Sequence, residues 1–187
     1  MNTQELCKVW DLPLRVFHWL LVAAFFVAYL TEDDLLTVHV WAGYTVFGLL
    51  LFRLVWGFIG NPYARFANFL PKPADALSYV KDLAAKKAKR YIGHNPAGAV
   101  MIVLLLLSLL ITTLTGFAVY GADQGAGPLA FIGSGNEKFW EESHELFANL
   151  TLLLVFVHIL GVAAESYIHR ENLAKAMWHG YKKPADQ

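Results

Sequence analysis

Long apolar runs separated by short polar segments dominate the chain, and four of them approach the roughly 20 residues needed to cross a hydrocarbon core. They cover about Leu14–Leu30, Val38–Ile59, Ala97–Tyr120 and Leu146–Tyr167. The first is short, but Trp10 and Pro13 precede it as an interfacial anchor and a helix start. The third opens at Asn95-Pro96, a capping residue followed by proline at the first helical position. The core of a soluble helical bundle is the rival reading. Against it, Val100–Ile111 holds no charge and a single serine. Between the second and third runs, Leu77, Val80, Ala84, Ala88 and Tyr91 recur at helical spacing with lysines opposite. Pro73–Tyr91 therefore predicts an amphipathic helix on a membrane surface, with an ordinary solvated connector as the alternative. The pattern as a whole predicts an all-α membrane protein. It is a bundle of four transmembrane helices, formed by one domain over residues 1–187.

Composition agrees: 57% of the 187 residues are hydrophobic and 16% are charged, against about 25% charged in a soluble domain. Nothing in it points to nucleic acid. The single cysteine, Cys7, excludes an internal disulfide and a four-cysteine iron–sulfur cluster. The first apolar run comes late and lacks a cleavage site, so it reads as a retained helix. Net charge is zero, yet the charges are segregated. Glu32, Asp33 and Asp34 lie between the first two runs. Gly121–Ser143 carries Asp123, Glu137, Glu141 and Glu142 against Lys138 alone. The other fourteen of the fifteen basic residues, among them Arg65, Lys81, Lys89, Arg170 and Lys183, fall on the opposite side or, like Arg53, near it. The excess of lysine and arginine marks the cytoplasmic side, so both termini are expected there.

Four of the seven histidines lie within or at the edges of the spans: His18, His39, His144 and His158. An ionisable residue in a membrane is costly, and is a functional candidate for that reason. His144 and His158 are 14 residues apart. On one helix that spacing leaves them within about 40° of each other and about 21 Å apart along the axis. This is too far for one metal ion and suits two haems, one near each surface. Topology supplies the partners: His39 with His144 at the outer level, His18 with His158 at the inner. Paired neutral imidazoles on iron are an electron-transfer arrangement with no open position for oxygen chemistry. His169, nearly on the face of His158 and closer to the surface, is a rival partner for His18. Gly43 and Gly161 leave helix faces free for a porphyrin, or else serve close helix packing. Arg53 lies 14 residues after His39, a spacing that suits a haem propionate. Arg15 is a second candidate for that role. Lipid phosphate is the other partner open to both.

These residues resemble the prokaryotic cytochrome b561 family, which includes the cytochrome b subunits of nickel–iron hydrogenases and the membrane superoxide oxidase. The matching pieces are Val16-Phe17-His18-Trp19, Val38-His39-Val40-Trp41-Ala42-Gly43, Arg53, the run from Trp140 through His144 to Asn149, and His158. The resemblance covers nearly the whole chain. It implies two haem b groups with the pairings above and favours His158 over His169. It also implies a bacterial inner membrane location and electron exchange with membrane quinone or quinol. Gly93-His94-Asn95-Pro96-Ala97-Gly98 looks like the branch that works beside a periplasmic c-type cytochrome. His94 itself is either part of a quinone or propionate site or only part of a helix cap.

Three functions compete. The first is an electron-transfer subunit between quinol and an outer redox partner, whose basic face would suit the acidic outer loops. The second is a superoxide:quinone oxidoreductase. That activity would favour a positively charged outer funnel for the anion, where the chain offers Lys138. The third is a metal-ion transporter with histidine ligands. Transport sites cluster their ligands at one depth, whereas these histidines fall at two.

Overall fold

The structure, a computed structural model, describes residues 6–32, 35–132 and 136–184. Asp33 and Asp34, part of the expected acidic loop, lie outside the described residues. Four long helices carry the apolar runs: α1 (Leu12–Leu30), α2 (Leu36–Ile59), α5 (Pro96–Gln124) and α6 (Glu137–Ile168). Shorter helices α3 (Phe66–Phe69) and α4 (Pro73–Ala84) separate α2 from α5, and α7 (Leu173–His179) follows α6. All four long helices have the length and apolarity to cross a membrane, yet only 11% of the apolar window of α6 and 28% of that of α5 is buried. Leu153, Phe156 and Leu160 are exposed. A water-soluble bundle would turn that stripe inward; hydrocarbon accepts it as it stands.

Helix ends follow local chemistry. Asp11 Oδ1 accepts the Leu14 amide at 2.9 Å and caps α1, with Pro13 in the first turn. Asn95 caps α5 as expected, its Oδ1 accepting the Gly98 amide at 2.7 Å. Two boundaries differ from those expected. The last long helix starts at Glu137 rather than near Leu146. Glu137 supplies the negative charge that favours a first helical turn, and Lys138 pairs with Glu142 at 3.7 Å. Hydropathy reports the part inside a bilayer, and the helix outruns it. Conversely, α4 stops at Ala84, so Ala88 and Tyr91 fall outside it. There Lys86 takes a left-handed φ of 57°, and the amides of Lys86 and Lys87 turn back to the carbonyls of Leu83 and Asp82.

The chain divides into two compact units. One comprises Leu20–Leu51 and Leu104–Val155. Its core is Phe25, Val46, Leu50 and Leu109, flanked by Leu21, Leu106, Leu152 and Val155. The core also holds a hydroxyl cluster. Thr151, fully buried, lies 2.7 Å from Ser108 Oγ and 3.2 Å from Thr112 Oγ1. Each threonine also donates to the carbonyl four residues earlier, so no hydroxyl is stranded.

The other unit comprises Met1–Trp19, Phe52–Val103 and Phe156–Gln187, and it is tied together by polar groups. A two-residue antiparallel pair, β1 (Cys7–Lys8) with β2 (Tyr181–Lys182), joins the chain ends in register Cys7↔Lys182. No pattern in so short a stretch predicts it. Arg90 grips Glu171 through two nitrogens at 3.0 and 3.3 Å, and Lys182 stands 3.4 Å from the same carboxylate. Burial opposes the charge on Glu171, but Arg90 and Lys182 outweigh it and hold the carboxyl below its ordinary range. Helix α4 docks through Ala76 and Tyr79, whose hydroxyl donates to Glu165. Leu77 and Val80 stay exposed beside the lysines, as an interfacial helix requires.

Candidate functional site

His39 lies in the first turn of α2 and His144 in α6, and their rings meet edge-on with centroids 5.9 Å apart and planes at 87°. Each ring is anchored from behind. His39 Nδ1–H donates to the Ala28 carbonyl at 2.9 Å, and His144 Nδ1–H donates to the Thr112 carbonyl at 2.9 Å. A carbonyl only accepts, so both rings are fixed as the tautomer that leaves Nε2 with its lone pair free for a metal.

The space around the pair suits a flat apolar group. A mostly apolar cleft is lined by His39, His144, Phe25, Ala28, Gly43 and Phe117 among others. A Cβ placed on Gly43 would meet nothing within 4 Å, so the glycine leaves the cleft open. Gly116, which the sequence reading passed over, is as important: its Cβ would fall 2.9 Å from His144 Cε1. Thr112 was also missed. Its carbonyl receives the His144 proton and its hydroxyl joins the Ser108–Thr151 cluster. The available signal was Thr112, Thr113, Thr115 and Gly116 crowded into an otherwise aliphatic run.

His18 lies in α1 and His158 in α6. Among the described residues no carbonyl accepts from either ring. His18 Nδ1 is buried without a partner, and its ring meets Trp19 edge-on at 5.0 Å. Phe17 and Phe52 approach to 6.1 Å, which brings the next residues, His18 and Arg53, to a common level of α1 and α2. Arg53 is 3% exposed. Its guanidinium stacks on Phe66 at 4.4 Å and donates through Nη2 to the Ala64 carbonyl at 3.0 Å. Phe66 reaches α2 because Gly57 has no side chain; a Cβ there would overlap the ring at 2.0 Å.

The remaining candidates are engaged elsewhere or open. Arg15 donates to the Trp178 carbonyl at 2.7 Å. His169 Nε2 stands 3.0 Å from the Glu165 carboxylate, at ion-pair distance but poorly aligned for a hydrogen bond. His179 accepts the Tyr181 amide. A Cβ on Gly161 would meet nothing within 4 Å. Among the described residues no group of three or more His, Cys, Asp or Glu side chains converges to hold a bare metal ion. Paired imidazoles across a glycine-lined cleft suit a macrocycle that supplies the other ligands itself.

The family model of prokaryotic cytochrome b561 matches residues 9–180. The chain belongs to that family. It is therefore a b-type cytochrome with several membrane-spanning helices, and the family carries b-type haem. It is similar to a protein of Azotobacter chroococcum named "Probable Ni/Fe-hydrogenase B-type cytochrome subunit", 27% identical over 97% of this chain and 90% of that one. A protein of the same name from Rhizobium leguminosarum is 24% identical over 92% and 87%. "Probable Ni/Fe-hydrogenase 1 B-type cytochrome subunit" of Escherichia coli K12 is 25% identical over 93% and 89%. No solved structure matches the chain.

Proposed function

We propose that this cytochrome carries electrons across a bacterial inner membrane through two b haems, one held by His39 and His144 and the other by His18 and His158. The observation that carries the reading is the His39–His144 pair, with each Nδ1 turned to a carbonyl and the cleft left clear by Gly43. When bound, haem supplies reversible one-electron chemistry at iron. The chain does the rest. Ala28 and Thr112 hold the tautomer and the orientation of the imidazoles. Phe25 and Phe117 line the cleft and keep water from it. Two imidazoles per iron leave no position for oxygen to coordinate. Arg53 stands at the level of His18 with a charge that suits a propionate, and Gly161 leaves the face of α6 near His158 uncovered.

Lysine and arginine placement supports cytoplasmic termini, which puts the His39–His144 pair toward the outer surface. The electron partners on this reading are membrane quinone and an outer redox subunit. The relatives' names make a nickel–iron hydrogenase the first partner to try, ahead of a c-type cytochrome. A reduced-minus-oxidised spectrum of the purified chain, with haem and protein both quantified, tests the core of the proposal. Two six-coordinate b haems per chain are expected. A folded protein that carries none would end it.

A further inference from the structure

Arg53 is the most fully buried arginine of the chain, and its donors are only partly used. Nη2 donates to the Ala64 carbonyl, Phe66 covers one face, and Nη1 is buried with no partner. A buried arginine calls for an anion, and among the described residues none pairs with it. Asp11, the acid that caps α1, is occupied: its carboxylate accepts the Trp56 indole at 3.1 Å and the Leu14 amide at 2.9 Å.

His94 presents the same deficit. Its ring is held between Trp10 and Phe69, with centroids 4.7 and 4.4 Å away, and its Nδ1 is buried without a partner. Burial first, then the charges of Arg53 and Lys182, push its pKa down to about 3, so it is neutral at pH 7. The two residues are linked by a pair of rings: Arg53 stacks on Phe66, His94 rests on Phe69, and the Phe66 and Phe69 centroids are 5.9 Å apart. Lys182 is itself paired with Glu171 and donates to the Tyr91 carbonyl. A guanidinium N–H and an imidazole nitrogen, both buried without a partner beside the Arg53 charge, describe a pocket for an anionic oxygen.

We infer that Arg53 Nη1 and His94 Nδ1–H together bind a carboxylate, namely a propionate of the haem held by His18 and His158. This rests on the di-haem reading above, and the Phe17–Phe52 contact supports it by bringing His18 and Arg53 to one level. The cap role of the Gly93–Gly98 segment falls to Asn95, whose side chain takes the Gly98 amide. His94 is free for the ligand. The carbonyl oxygen of a quinone is the other source of the same acceptor chemistry.

The test uses the full-length holoprotein, with Arg53→Gln, His94→Leu and the milder Arg53→Lys and His94→Gln. The readouts are haem per chain, the two midpoint potentials, and the propionate-bending bands in the resonance Raman spectrum. Loss of a positive charge or a donor beside a propionate disfavours the reduced haem. Arg53→Gln and His94→Leu are therefore each expected to lower one potential, leave the other in place, and shift the propionate bands; the His39–His144 haem reports that the chain is folded. Unchanged propionate bands in folded variants that keep both haems overturn the inference. The same bands with weakened binding of a quinone analogue overturn it in favour of a quinone oxygen. Fewer than two haems in the unaltered chain would instead defeat the underlying reading.

Discussion

The His39–His144 and His18–His158 pairs use the same residue type, but their surroundings satisfy them by different means. At the first pair the chain meets its own polar needs: two carbonyls accept from the imidazole N–H groups, and the Thr112 and Thr151 hydroxyls donate to the Ser108 and Phe147 carbonyls. The rings are oriented before any ligand arrives. In the unit that holds His18 and His158, the atoms His18 Nδ1, Arg53 Nη1 and His94 Nδ1 are all buried without a partner. Leaving such groups unpaired costs about 1–3 kcal/mol each. A self-satisfied site is preorganised for its ligand. A site with leftover donors is completed by one, and its stability follows ligand occupancy more closely.

The largest expected effect breaks one pair and spares the other. His144→Ala and His39→Ala each remove an axial ligand, so each should lower the haem content from two per chain to one, with the same potential missing in both. Potentiometric titration of the purified variants checks this, and two different missing potentials would refute the pairing.

Next in size is Gly116→Val. Its side chain would intrude on the His144 ring, which stands 2.9 Å from a Cβ at that position. Overpacking of this kind costs about 1–3 kcal/mol. The His39–His144 haem should be largely lost while the other persists, as read from the optical spectrum.

A smaller effect is confined to the unit that holds His18. The carboxyl of Glu171 is held below its ordinary value of 4.5 by Arg90 and Lys182. A carboxyl with a lowered folded-state pKa stabilises fully above its unfolded value and loses that contribution as pH falls through the folded one. Thermal melting of the native chain should therefore steepen its loss of stability as pH drops below about 4.5. Arg90→Gln should melt lower at pH 7 and show a shallower acid loss. An identical pH profile would remove Glu171 from the account.

The smallest effect is expected of His169→Ala. His169 pairs with Glu165 rather than with His18, so both haems should remain at unchanged potentials. Loss of one would return the ligand role to His169.

Several of these features were legible along the chain. The four spans are continuous apolar runs, and a run of about 20 residues carries its meaning wherever the rest of the chain lies. The Asn95 cap was legible for a similar reason, since donor and acceptor are three residues apart. The start of α6 was misread because hydropathy measures solvent rather than helicity. The end of α4 was misread because an apolar period was followed past the left-handed turn at Lys86.

By itself, then, the sequence determined that this is a helical membrane chain and which histidines lie within or at the edges of its spans. Local spacing and the cost of burying charge act within one segment. Only the tertiary structure decided that Gly116 makes room for His144, that the Thr112 carbonyl sets its tautomer, and that Phe66 rests on Gly57 beneath Arg53. The last two of these join positions 32 and 9 residues apart, from separate helices. Each depends on close approach of atoms whose spacing along the chain carries no trace of it.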